Sequence, residues 1–153
     1  MPRLIPILAV LALMALPAAA QDLVHPSPDL TPRRVVEIQL DALQQNDVPI
    51  PDAGIAQTWA FANPNNRRAT GPLGRFAAMI KGPMYGMLLG HRQHVIELLS
   101  RTETEATFAV TVITAEDGLV TFRWVVRKVQ AGEFSGSWMT VNVSPPLAVG
   151  EPA

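Results

Sequence analysis

The chain has no cysteine. That absence excludes thiol nucleophiles, zinc–thiolate centres, redox pairs and thiol-linked lipids, and it leaves no disulfide, so stability must come from a packed core. Charge is scarce and balanced, with 12 Lys and Arg against 13 Asp and Glu in 153 residues. The basic residues fall in scattered pairs such as Arg33-Arg34 and Arg67-Arg68, whereas a phosphate-backbone binder clusters them, so no nucleic acid is expected as a partner. Tyrosine occurs once, as Tyr85. After residue 20 no apolar run approaches the roughly 20 residues that cross a bilayer. The longest, such as 108–113, are interrupted by Thr and read as strands.

What is present begins with Met1-Pro2-Arg3, an apolar run from Leu4 to Leu16, and Pro17-Ala18-Ala19-Ala20 before Gln21. One positive residue, a short apolar stretch and small side chains at 18 and 20 form a secretory leader, with cleavage expected after Ala20. The expected location is therefore periplasmic or secreted. The remaining chain of about 130 residues can bury roughly two thirds of its unfolded surface, enough for one core. The expected organisation is a leader at 1–20, a flexible polar segment at 21–30, one domain at 31–144 and a loose Pro-rich tail at 145–153.

Within that domain the hydrophobic period changes once. Thr31-Pro32 reads as an N-cap followed by a first helical residue. Val36, Leu40 and Leu43 then make an apolar stripe to about residue 45. A second helix is expected over 52–62, with Ile55, Trp59 and Ala62 on one face, and a third over 73–80. Between them Asn63 to Pro72 is dense in residues that bond their own backbone, and reads as a structured loop. Beyond Met84 the period falls to two. Strands are expected near 87–90 and over 94–99, 105–114, 119–130 and 137–143, with a tight hairpin turn at Glu116-Asp117-Gly118. Val120, Phe122, Trp124 and Val126 give the sheet a continuous apolar face, and the helices are its only available cover. The fold class is α+β: three N-terminal helices on a curved antiparallel sheet of four to five strands.

Several stretches carry a resemblance. They are Ser27-Pro28-Asp29-Leu30-Thr31-Pro32, Val35-Val36-Glu37-Ile38-Gln39-Leu40, Phe61-Ala62-Asn63-Pro64 through Thr70-Gly71-Pro72, Tyr85 with Leu88-Leu89-Gly90-His91-Arg92, and Trp138-Met139-Thr140. Together the chain resembles a family of small exported proteins known as a domain of unknown function. The resemblance implies a cystatin-like or nuclear-transport-factor-like cone, and it brings no substrate, cofactor or catalytic residue.

The candidate chemistry rests on the residues alone. Gly132-Glu133-Phe134-Ser135-Gly136 sets its serine one place off a nucleophile elbow and reads as a hairpin loop. Gly71-Pro72-Leu73-Gly74 lacks the lysine of a phosphate-cradling loop. His91 and His94 invite a metal, but near a strand start positions i and i+3 point to opposite faces, so no shared ion and no cofactor are expected. Arg123 and Arg127 share a strand face and would bind an anion only if that face turned inward. A cavity between helices and sheet would be lined from Tyr85, His91, Arg92, Trp59 and Trp124, with Asn66, Arg67 and Thr70 as donors from the 63–72 segment. Two readings follow. One is a non-catalytic binding or accessory domain that takes a small organic ligand or an envelope protein, with a homodimer as a further possibility. The other is an isomerase- or hydrolase-like enzyme in which His91 and Tyr85 move protons across that cavity.

Overall fold

A computed structural model describes residues 22–147, so the expected leader at 1–20 and the end of the expected tail lie outside the described residues. Four helices come first: α1 (Pro32–Gln44), α2 (Ala53–Ala60), α3 (Pro64–Thr70) and α4 (Leu73–Ile80). A single 3-10 turn at Gly86–Leu88 leads into β1 (Gln93–Arg101), β2 (Glu105–Ile113), β3 (Leu119–Lys128) and β4 (Trp138–Val143). The strands form one antiparallel sheet in the order β1-β2-β3-β4. The fold is α+β.

Thr31 begins α1 as its residue type predicts: its Oγ1 accepts the Arg34 N–H at 3.2 Å, and Pro32 follows as the first helical residue. Val36, Leu40 and Leu43 are wholly buried, and α1 packs along β3 and β4 with a lighter contact on β1. The sheet face beneath it carries Phe108, Val110 and Val112 of β2 against Trp124, Phe122 and Val120 of β3, paired directly across the ladder. Phe108, Phe122, Trp124 and Val126 are at most 2% exposed. Each such side chain contributes about 1.5–3 kcal/mol on leaving water, so this layer is a large part of what holds a disulfide-free domain together. On the opposite face the Thr111 and Thr121 hydroxyls hydrogen-bond at 2.9 Å, and Arg127 pairs with Glu105. Arg123 and Arg127 are exposed on that outer face, so the inward-facing anion site is not formed.

Two expectations are corrected. The helices number four because Asn63 to Pro72 is not a loop. Asn63 Oδ1 accepts the Asn65 N–H at 2.9 Å, Pro64 supplies a preset first turn, and α3 follows. It buries no residue, which is why hydrophobic periodicity could not reveal it. The strand expected near 87–90 is the 3-10 turn, so the sheet has four strands; Gly90 closes the turn at φ 64° with its N–H on Leu43 O.

Helix α2 starts without a side-chain bond from its own N-cap, Asp52. Asn46 substitutes from a distance: its Oδ1 accepts the Ile55 N–H at 3.0 Å, while its Nδ2 donates to Asp47 and Asp52. At the rim of the sheet, β1 has a neighbour on one side only. There Arg33 of α1 donates to Ile96 O at 3.0 Å, and the β1–β2 register shifts between Leu98 and Ser100. Before α1, Val24 exchanges two 2.8 Å hydrogen bonds with the Gln57 side chain.

Candidate functional site

Between α1, α2, α3 and α4 on one side and the β3–β4 end of the sheet on the other lies a cavity of about 240 Å³. Its floor is polar and fully paired. Trp124 Nε1–H donates to both Gln39 Oε1 (3.2 Å) and Thr140 Oγ1 (3.1 Å), and the Thr140 hydroxyl donates to the same Gln39 oxygen at 2.6 Å. The Gln39 amide in turn donates to Thr58 O at 3.0 Å, and the Thr58 hydroxyl to Gly54 O at 2.8 Å. Gln39, Thr58, Trp124 and Thr140 are all buried, so this network ties α1, α2, β3 and β4 together where apolar packing alone would leave them free to slide.

The walls are apolar, from Leu43, Phe76, Met79, Ile80 and Leu88. The rim is polar: Asn66 and Thr70 stand four residues apart on α3 and face the cavity, with Asn66 Nδ2 on Thr140 O and the Thr70 hydroxyl on Asn66 O. Tyr85 closes the remaining side. Its ring stacks on Phe122 at 6.4 Å, its hydroxyl donates to Val143 O at 2.9 Å, and burial pushes its pKa up. Tyr85 is the one titratable side chain in the lining among the described residues.

Of the residues singled out from sequence, Asn66, Thr70, Tyr85 and Trp124 meet at this cavity. Arg67, Trp59, His91 and Arg92 do not line it. Arg67 turns back to donate to Ala60 O (2.7 Å) and Ala62 O (3.0 Å), the carbonyls left over at the end of α2, and its guanidinium lies 5.5 Å from both the Trp59 and Phe134 rings. Burial lowers the Arg67 pKa, opposed by Glu133. Trp59 packs its other edge on Phe76 at 5.0 Å. Arg92 is exposed and pairs with Asp117 at 2.7 Å.

The histidines overturn one geometric expectation. His91 and His94 do not point apart, because His91 lies between the turn that ends at Gly90 and the start of β1 at Gln93, outside the strand. The His91 Nε2 and His94 Nδ1 atoms are 2.8 Å apart, the His91 Nδ1 lies 2.7 Å from Leu88 O, and His94 Nε2 faces Asp41 at 3.7 Å. Each ring nitrogen thus has its own partner, and no cluster of three or more metal-ligating side chains occurs among the described residues. Gln39 and Thr140 are the site residues that sequence reasoning missed. A signal existed for Gln39: it sits three residues after Val36 and four before Leu43, on the buried stripe.

No curated protein matches the chain, and no solved structure matches it. The family described as a domain of unknown function (DUF4864) matches residues 27–138, taking in α1 to β3, the Gln39 and Trp124 floor and the Tyr85 wall, and the chain belongs to that family.

Proposed function

We propose that this chain is a non-catalytic binding domain of the cell envelope, and that its ligand is a small, uncharged, largely apolar molecule held in the cavity. The observation that carries the reading is a hollow of about 240 Å³ with apolar walls, a neutral hydrogen-bonding floor and no formally charged side chain in its lining. A cavity of about 150 Å³ holds benzene, so this one has room for a one- or two-ring compound. A charged guest would have to leave water with no countercharge to meet it. Proton-transfer catalysis needs an acid or base within hydrogen-bond reach of the substrate, and the one candidate in the lining, Tyr85, has its hydroxyl on Val143 O. His91, the partner Tyr85 would need, keeps both ring nitrogens on Leu88 and His94. The helices over an antiparallel sheet are consistent with the cone architecture that the family resemblance implies, in which such a hollow is the usual ligand site.

Thermal unfolding with matched pairs tests the reading: indole against indole-3-acetate, and benzyl alcohol against benzoate. The neutral members are expected to raise the unfolding midpoint by several degrees at about a hundred times Kd, an excess that adds about 2.7 kcal/mol. Equal shifts from the charged members, or none from any of the four, would overturn it.

The envelope location rests on the leader-like residues 1–20. Expressed in a Gram-negative host, the protein is expected in the periplasmic extract with an intact mass that begins at Gln21. A soluble cytoplasmic product retaining Met1 would rule that location out.

A further inference from the structure

The paired histidines sit behind the cavity wall. His91 is 1% exposed. A carbonyl can only accept, so the His91 Nδ1, at 2.7 Å from Leu88 O, must carry its hydrogen and donate. His91 Nε2 is then the acceptor, and His94 Nδ1 must carry the hydrogen that joins the rings at 2.8 Å. One hydrogen therefore serves both facing nitrogens. A further proton on His91 Nε2 would put a full charge on a ring that is 1% exposed, and would set N–H against N–H unless His94 moved its hydrogen to the Nε2 that faces Asp41.

That contact holds a segment with a second job. Residues 85–91 run from Tyr85 through the 3-10 turn to His91, and Tyr85 and Leu88 are both wall residues of the cavity. The Leu88–His91 bond holds the end of the segment in shape, and Gly90 N–H on Leu43 O fastens it to α1, where Leu43 is itself a wall residue. We propose that the His91–His94 pair is an acid-released latch: at neutral pH it fastens the 85–91 segment as a wall of the cavity, and on acidification the rings separate, the wall loosens and the bound molecule is let go. This rests on the cavity being the binding site.

The surroundings are consistent with that direction. From α1, Asp41 faces His94, and Arg33 and Glu37 line the same surface hollow while pairing with each other at 3.0 Å. Arg92, next in the chain, is taken up by Asp117, and the β2 residues opposite His94 and Gln93 are Val112 and Ile113, which do not titrate. Burial holds the His91 pKa below its ordinary 6.5, with His94 acting in the same sense and the Leu88 carbonyl and Asp41 opposing. A pKa lower in the folded than in the unfolded state means that the unfolded or opened form takes up the proton first. The closed wall is then fully stable above about pH 6.5 and loses stability as the pH falls through the folded value.

Amide hydrogen exchange on the whole mature protein reads the latch without any ligand. Protection of the Leu89 and Gly90 amides, corrected for intrinsic exchange, is expected to fall more than tenfold between pH 7.5 and pH 5.0, since one linked proton changes an opening constant by up to tenfold per pH unit. In His91→Gln the fall should be less than threefold. His94→Asn, at a half-buried position, is a second variant that keeps a donor towards His91 and should shrink the same fall. 1-Naphthol, a two-ring fluorophore that is neutral at both pH values and within the size the cavity allows, should bind at pH 7.5 and at least fivefold more weakly at pH 5.0. Wild-type protection that is flat across this range, or a full fall in both variants, overturns the latch. Probe affinity equal at both pH values while exchange steps overturns its link to the cavity. Absence of probe binding at pH 7.5 overturns the cavity reading and, with it, the release function, while the exchange data still decide whether the histidines fasten the turn.

Discussion

Alanine in place of Gly54 is expected to destabilise the domain by roughly 3 kcal/mol or more, with an unfolding midpoint lower by ten degrees or so. Gly54 lies where α2 crosses α1, and a Cβ there would stand 2.0 Å from Ala42 O, 2.6 Å from Ala42 C and 2.9 Å from the Asn46 Cα. All three are backbone atoms of α1 or its exit, so no rotamer change relieves the overlap and the helices must separate. Separation would also break Gly54 N–H to Asn46 O, at 2.9 Å, and the Asn46 bond that starts α2. Domains of this kind have only about 5–15 kcal/mol in hand, so the loss is a large share of the total. Gly74 in α4 is the control, because a Cβ there meets nothing within 4 Å. Gly74→Ala should hold or raise the midpoint, since alanine loses less backbone entropy in a helix. Equal midpoints for Gly54→Ala and the wild type would show that the crossing is looser than these distances require.

Gln39→Leu is expected to cost about 2–3 kcal/mol, more than Thr140→Val, which should cost about 1 kcal/mol. The volumes change little in either case; what differs is the set of partners left stranded. Without the Gln39 amide, the Thr140 hydroxyl and Thr58 O both lose a buried partner, and Trp124 Nε1–H falls back on Thr140 alone. Without the Thr140 hydroxyl, Trp124 still donates to Gln39 Oε1. Chemical denaturation of the two variants measures the ordering, and a reversed order would mean that Thr140, not Gln39, is the hub. The near-ultraviolet signal of Trp124 should change in Gln39→Leu even where the fold survives.

The core was largely legible because it follows period. Alternation through Phe122, Trp124 and Val126 placed β3 with its correct inward face, and Val36, Leu40 and Leu43 placed α1, since a half-buried strand or helix repeats its apolar residues at its own pitch. Asp117 adopts a left-handed φ of 65° at the hairpin turn that its sequence announced. Helix α3 escaped notice because Pro64-Asn65-Asn66-Arg67-Arg68-Ala69-Thr70 has no apolar stripe; its order comes from the Asn63 cap and from Arg67 reaching back to α2, both of which require the fold to exist first. The cavity was half legible. Tyr85 and Trp124 are rare residue types that attract attention, while Gln39 and Thr140 are common ones whose meaning lies in each other, 101 positions apart in the chain. The histidine contact failed as a sequence inference for a simpler reason. The rule that i and i+3 diverge holds inside a strand, and His91 lies just outside one.

The Arg33 guanidinium on the Ile96 carbonyl has a bearing on how this protein survives at high concentration. A nine-residue border strand showing Val95, Leu98 and Leu99 to solvent is the sort of template on which stray polypeptides stack into fibres. An incoming backbone would find that carbonyl already occupied by a side chain that is itself ion-paired to Glu37, and a few residues further on the spacing out of step. The first helix therefore serves as a guard on the sheet as well as its cover, discouraging polymer growth from the one margin where growth would be easiest.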